Sequence, residues 1–328
     1  MSDTVQVAVT GAAGNVAGAL LFRLASGEVF GPSTRVVLRL LEVPAALPAL
    51  SGVAMELLDS AFPLLADVVV TSSPSVAFDG ASWALMLGSS PRRAGQSRAD
   101  LLEANASVFV PQGRALAAHA ASDVRVLVVG NPCNTNCLIA RAQAPEIPSA
   151  RWFAMTRLDE NRAKAQLALR VGLPVREVTR LAIWGNHSST QYPDAWNALI
   201  SGRPAPVVVG DDEWLRSSFI PLVQERGAAI IAARGHSSVG SAASAVVDSV
   251  RALSYGTSAG DWTSLGVVSQ GEYGVPEGLV FSYPVAVSAS GTWSVVSDVP
   301  HSADALERLR VTTDELVAER DQVAKLLG

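Results

Sequence analysis

The chain has 328 residues, 49% of them hydrophobic and 17% charged. That gives enough apolar length for a large core in one or two domains and excludes intrinsic disorder. Its 25 basic and 30 acidic side chains leave a net charge of -5 without any Lys/Arg block, which argues against a nucleic-acid surface. No apolar run approaches the roughly 20 residues that span a bilayer, and the first residues lack the basic region of a signal peptide, so a cytoplasmic protein is expected.

In chain order, Val5–Val9 reads as a strand and Asn15–Leu24 as a helix. Arg35–Leu41, Ala66–Thr71 and Trp83–Leu87 read as further strands, followed by a helix from about Arg98 to His119. Val124–Val129 is another strand, with a helix after Pro132. Near-continuous Val/Leu runs separated by helices predict a doubly wound parallel sheet of the Rossmann type. The spacing predicts a boundary near residue 150, hence a nucleotide domain over 1–150 and an α+β catalytic domain over 151–328. In the second part, helices are expected at Asp159–Val171, Asp212–Ala232 and Val239–Leu253. Val267–Val268, Gly278–Ser288 and Thr292–Val296 are β-like, the last two as a hairpin. Asp304–Leu327 closes the chain as an amphipathic helix, with Leu306, Leu309, Leu316 and Val323 at apolar positions. The two cysteines, Cys133 and Cys137, read as a buried reduced pair, because no His/Cys cluster beside them offers a metal site.

The first strand runs into Thr10-Gly11-Ala12-Ala13-Gly14-Asn15-Val16-Ala17, a G-x-x-G-x-x-A turn. Such a turn lets the chain bend sharply, lets backbone N–H groups approach a pyrophosphate and packs the helix close to the sheet. Strand Arg35–Leu41 leads into Glu42, a carboxylate suited to ribose hydroxyls and repulsive to a 2′-phosphate, so NAD is expected over NADP. Short-chain dehydrogenases share this turn but need Tyr-x-x-x-Lys, and none of tyrosines 192, 255, 273 and 283 has Lys four residues on. Gly256-Thr257-Ser258-Ala259-Gly260 matches the form of a hydrolase elbow, yet a helix-like stretch precedes it, so a plain turn is expected.

Four segments carry polar groups that a core does not need: Gly88–Arg98, Gly130-Asn131-Pro132, Thr156–Arg162 and Ile183–Ser189. Asp159 and Arg162 are three apart and share a helix face. His187, one of four histidines, sits in a Gly-Asn-His-Ser turn, where Asp159 could orient it as a proton carrier. A lone histidine is more often structural; the company of Asp159, Arg162 and the dinucleotide turn favours chemistry.

These motifs give the chain its resemblance. TGAAGNVA, PRRAGQSRADLLEAN, VVGNPCNTN, TRLDENRAKAQ, IWGNHSSTQYPD, RGAAII and YGVPEG, spread from residue 10 to about 277, are similar to the cytosolic-type malate dehydrogenase branch of the lactate/malate dehydrogenase superfamily. The resemblance implies an NAD-dependent oxidoreductase interconverting malate and oxaloacetate in the tricarboxylic acid cycle, working as a homodimer. It implies His187 as acid/base, Asp159 as its partner and Arg162 as the fork on the carboxylate beside the keto carbon. Arg98 would polarise the carbonyl, Arg92 would pair with the distal carboxylate, and Asn131 and Ser241 would line the substrate site. Gly11, Gly14, Asn15, Val16, Glu42 and Asn131 would contact NAD.

Several positions depart from the pattern: Asn15, Ser90, Gln96-Ser97, Val239-Gly240 and Glu160, the last expected to be silent. The loop changes leave room for an alternative, a dedicated reductase of another doubly anionic 2-oxo acid such as phosphonopyruvate. Lactate fits less well, because Arg92 would face a methyl group. A nucleotide-binding scaffold without chemistry would have lost His187, Asp159 or an arginine.

Overall fold

The computed structural model describes residues 4–90 and 98–327, and the chain divides into two compact units. The first comprises residues 1–154 and 319–328, the second residues 155–318.

The first unit is built on parallel strands: β1 (Thr4–Thr10), β2 (Arg35–Leu41), β3 (Leu65–Thr71), β4 (Trp83–Met86), β5 (Arg125–Val128) and β6 (Trp152–Ala154). Their order is β3-β2-β1-β4-β5-β6. Val9 pairs with Leu40 on one side and Leu85 on the other. The chain reverses direction of growth between β1 and β4, the place where ligands bind in such sheets. Between the strands run α1 (Asn15–Ala25), α2 (Leu47–Asp59), α3 (Pro74–Phe78), α4 (Arg98–His119) and α5 (Cys133–Ala142). All four residues of β4 are buried, as helices on both faces require of a parallel strand. Cys133 and Cys137 are buried and form no disulfide, and burial pushes the Cys137 thiol up to about 12.

The second unit opens with α6 (Arg157–Val171), which stops at Gly172 in the left-handed conformation, φ 70°. An antiparallel sheet joins Thr263–Val268, Val280–Val287 and Trp293–Val295. A two-stranded ribbon pairs Ala182–Trp184 with Tyr192–Asp194, so residues 185–191 form the loop at its end. Helix Gly240–Tyr255 and most of a closing helix, Ala303–Gln322, up to residue 318, complete the main elements.

The helix expected at Asp212–Ala232 is broken. A turn at Asp212–Trp214 runs into a π-helical stretch, Leu215–Phe219, then short helices at Ile220–Gln224 and Arg226–Arg234. Pro221 is the cause: it has no N–H for the preceding turn and its ring crowds the carbonyl there, and the wider π turn accommodates it. In the closing helix Leu309 and Leu316 are buried as expected, but Leu306 is 55% exposed; the helix stops at Gln322, short of the expected Leu327, and Val323 is buried just past its end. Ser258 follows a helix and Gly256, so no nucleophile elbow forms. Among the described residues no helix is long and apolar enough to cross a membrane, and no group of three or more His, Cys, Asp or Glu could hold a metal ion.

Candidate active site

In the first unit, the turn after β1 is shaped by close approach. Gly11 has φ +64°, and a Cβ there would lie 2.6 Å from the Gly88 Cα at the end of β4. Any larger residue would push the two strand ends apart. The Gly14 N–H donates to the Gly11 carbonyl at 2.9 Å, closing the turn. Gly14 then caps α1 without any side-chain hydrogen bond, and the first helical turn holds no acidic residue. The amides at this helix start are thus left to an anion rather than to a capping side chain. Ala17 is buried, the small residue that lets the helix sit close on the sheet, while Asn15 is exposed and Val16 half-buried.

Glu42 follows β2 directly. Its carboxylate accepts from the Ala13 N–H at 3.2 Å and the Val43 N–H at 2.9 Å, which fixes it against the glycine turn. Asn131 is exposed just beyond β5, before a cis peptide to Pro132. Its neighbour Gly130 accepts from Asn136 Nδ2 at 2.8 Å. A glycine-lined turn, an uncapped helix start and a carboxylate at the end of β2 fit the pyrophosphate and ribose of NAD.

The second unit holds the titratable groups. Asp159, in the first turn of α6, is fully buried. One carboxylate oxygen bonds His187 Nδ1; the other accepts from Arg162 Nη1 at 3.0 Å. The three-residue spacing brings Asp159 and Arg162 together on α6, and the ribbon loop brings His187 to them. Burial pushes the Asp159 carboxyl up, but His187, Arg162 and Gln191 outweigh it and hold it below the ordinary carboxylate range. An ionised carboxylate only accepts, so the His187 proton on this side resides on Nδ1.

Arg162 Nη2 donates to Ser238 Oγ at 3.1 Å, and its Nε is buried with no hydrogen-bond partner among the described residues. A half-buried guanidinium with one unsatisfied donor is suited to a ligand carboxylate. Ser241 is exposed near the start of helix Gly240–Tyr255, while Ser238 is the serine that touches the guanidinium. Arg92 lies outside the described residues, as do Gln96 and Ser97; Arg98 opens α4, and its side chain lies outside the description.

Gln191 and Ser238 carry no sequence signal that marks them as partners of Asp159 and Arg162. Glu160, expected to be silent, is a fully buried anchor. It meets Lys164 Nζ at 2.7 Å and Arg157 Nη1 at 3.3 Å, and accepts from the Ser264 N–H at 2.6 Å. Burial raises its carboxyl, but these cations and the amide hold it below the usual range. The reason is physical: a carboxylate on α6 that faces the unit's own core must be paired there.

The family description "lactate/malate dehydrogenase, NAD binding domain" matches residues 5–153, and its "alpha/beta C-terminal domain" matches residues 156–327. Among solved structures, malate dehydrogenase from Naegleria fowleri is 45% identical with a TM-score of 0.96, covering 100% of both chains. An apo lactate dehydrogenase variant from Trichomonas vaginalis is 34% identical with a TM-score of 0.94, covering 99% of each chain. The Trichomonas vaginalis lactate dehydrogenase in complex with NADH and oxamate is also 34% identical, TM-score 0.94, covering 98% of this chain and 99% of that one.

Proposed function

From the premise that this chain belongs to the lactate/malate dehydrogenase family and is an NAD-dependent dehydrogenase, we propose that it interconverts malate and oxaloacetate with His187 as acid/base. The observation that carries this reading is the unbroken chain His187–Asp159–Arg162, a proton carrier and a carboxylate fork joined through one buried anion. NAD, when bound, supplies or takes up the hydride. Gly11, Gly14, Asn15, Val16, Glu42 and Asn131 hold it, with residues 1–150 as the nucleotide domain. Glu42 favours a free ribose hydroxyl over a 2′-phosphate, because two anions there repel.

Residues 151–328 supply the chemistry. Asp159 keeps Nδ1 of His187 protonated, so Nε2 exchanges the proton with the substrate oxygen. Arg162 binds the carboxylate next to the reacting carbon as a two-pronged fork. Arg98 polarises the carbonyl. Arg92 pairs with the far carboxylate and so selects a diacid, while Asn131 and Ser241 line the site.

Oxaloacetate carries two negative charges, and each needs a cation once water is removed. A hydrogen bond to a charged group contributes about 1.5–3 kcal/mol, which is roughly ten- to more than a hundred-fold in rate. Arg92→Gln is therefore expected to lower kcat/KM for oxaloacetate by about 10- to 100-fold while leaving pyruvate within about threefold. The check is a steady-state panel with NADH and NADPH over oxaloacetate, pyruvate, phosphonopyruvate and 2-oxoglutarate. Oxaloacetate with NADH should rank first in the unaltered protein. Preference for pyruvate or phosphonopyruvate would overturn the malate reading, and equal losses on both acids in R92Q would overturn the role of Arg92.

The protein works as a homodimer in the cytoplasm. Exposed Met55 and Leu58 on α2 support association, and two buried cysteines without a disulfide suit a reducing compartment. Light scattering of the purified protein should read twice the chain mass.

A further inference from the structure

The loop carrying His187 is gripped by the closing helix through contacts that the reaction itself does not require. Gly185, φ +93°, has no room for a side chain, because a Cβ there would lie 2.2 Å from the Thr312 side chain. Its backbone exchanges hydrogen bonds with Ser282 at 3.0 and 3.1 Å. The next residue is tied twice: the Asn186 N–H donates to the buried Thr312 hydroxyl at 2.9 Å, and Asn186 Nδ2 donates to Glu315 Oε2 at 2.9 Å. The same carboxylate oxygen accepts from Ser188 Oγ at 2.5 Å and Thr190 Oγ1 at 2.6 Å. Both residues flanking His187 thus hang on one half-buried oxygen, while His187 and Gln191 reach Asp159.

We propose that Glu315, backed by Thr312, is a positioning residue that fixes the His187 loop for proton transfer; this rests on the reading of His187 above. Three donors converging on one acceptor oxygen tie residues 186, 188 and 190 to a single point of the closing helix, so they cannot shift independently. The ring of His187 has only two side-chain torsions. Once Asp159 holds Nδ1, the backbone position set at 186 and 188 decides where Nε2 points. An error of about 1 Å in such a group costs on the order of 100-fold in rate.

The test compares Glu315→Leu and Glu315→Gln in the full-length protein, reading kcat, KM for oxaloacetate, NADH affinity and Tm. Leucine removes the shared acceptor; glutamine keeps an acceptor oxygen in the same place. Glu315→Leu should lower kcat by about 10- to 100-fold with KM and NADH affinity within about threefold, and Glu315→Gln should recover most of the loss. A folded Glu315→Leu with unaltered kcat overturns the proposal, as does equal loss in both variants. Should Glu315→Leu fail to fold, Thr312→Val carries the same test: it keeps the shape and removes the acceptor for the Asn186 N–H, so a lowered kcat at constant KM supports the proposal and an unaltered kcat overturns it. If the unaltered protein turns over no 2-oxo acid, the reading of His187 itself fails. If it turns over oxaloacetate and the Glu315 variants match it, only the positioning role fails.

Discussion

Asp159→Asn is expected to lower kcat/KM for oxaloacetate by about a thousand- to ten-thousand-fold while NADH binds as before. The substitution keeps the shape but reverses the hydrogen-bonding logic. Asp159 is fully buried, and as a carboxylate it accepts from both His187 Nδ1 and Arg162 Nη1. An asparagine offers one acceptor oxygen and one donor amide. If the oxygen stays with Arg162, the amide meets His187 and drives the proton from Nδ1 to Nε2, the wrong form for accepting a proton from malate. If the oxygen turns to His187, the amide faces the guanidinium of Arg162, donor against donor. Either way, on the proposed role of His187, the imidazolium loses its buried counter-charge. Because Asp159 is held below the ordinary carboxylate range, it is ionised at neutral pH in the unaltered protein, so the counter-charge that D159N removes is present throughout that range. Steady-state kinetics beside an NADH titration separate this outcome from misfolding. Residual activity within about tenfold of the unaltered protein would mean that Asp159 is only structural.

Arg162→Leu is expected to cost about a hundred- to a thousand-fold in kcat/KM, mostly through a raised KM for the 2-oxo acid. Two effects add. On the role proposed for Arg162 the substrate carboxylate loses its fork, and Asp159 loses one of its cations while remaining buried, an arrangement that costs about 3–5 kcal/mol when one partner of a buried pair is removed. Arg162→Lys tells the two apart. An ammonium can stay beside Asp159 and restore the local charge, but it cannot present two parallel N–H groups to a carboxylate. R162K should therefore regain the melting temperature of the unaltered protein while KM stays raised by at least about tenfold. A normal KM in R162K would remove Arg162 from substrate binding and leave it as a support for Asp159 and Ser238.

The first unit was the more legible part of the fold. Parallel strands covered on both faces are largely apolar, so the Val/Leu-rich runs Val5–Val9 and Arg35–Leu41 stand out in the sequence despite Gln6 and Arg39, and the glycine turn sits where the strand order reverses. Helix α2 leaves little trace in the sequence, because Pro48, Ser51 and Gly52 interrupt its pattern; in the fold Pro48 sits in the first turn, where a proline costs no hydrogen bond. β6 has three residues, too few for any periodicity to show. In the second unit, helical spacing found the Asp159–Arg162 pair, since three residues is a distance along the chain as well as across it. The partners that come from elsewhere in sequence, Ser238, Gln191 and Glu315, were illegible. A serine on a loop or a glutamate on an amphipathic helix looks the same whether it meets solvent or a functional side chain. Glu160 shows the same limit from the other side: its pairs with Arg157 and Lys164 lie at helical spacing on α6, but only burial and the tertiary bond from the Ser264 N–H turn it into a buried anchor.

Whether the imidazole of His187 moves the proton is tested most directly by His187→Gln. Glutamine approximates the size of the ring and can still bond Asp159, but it cannot exchange a proton at neutral pH. Measured side by side with the unaltered protein, H187Q should bind NADH with the same affinity and reduce oxaloacetate at least about a hundred- to ten-thousand-fold more slowly. Turnover of oxaloacetate by H187Q at a rate close to that of the unaltered protein would contradict the assignment of His187 as the acid/base.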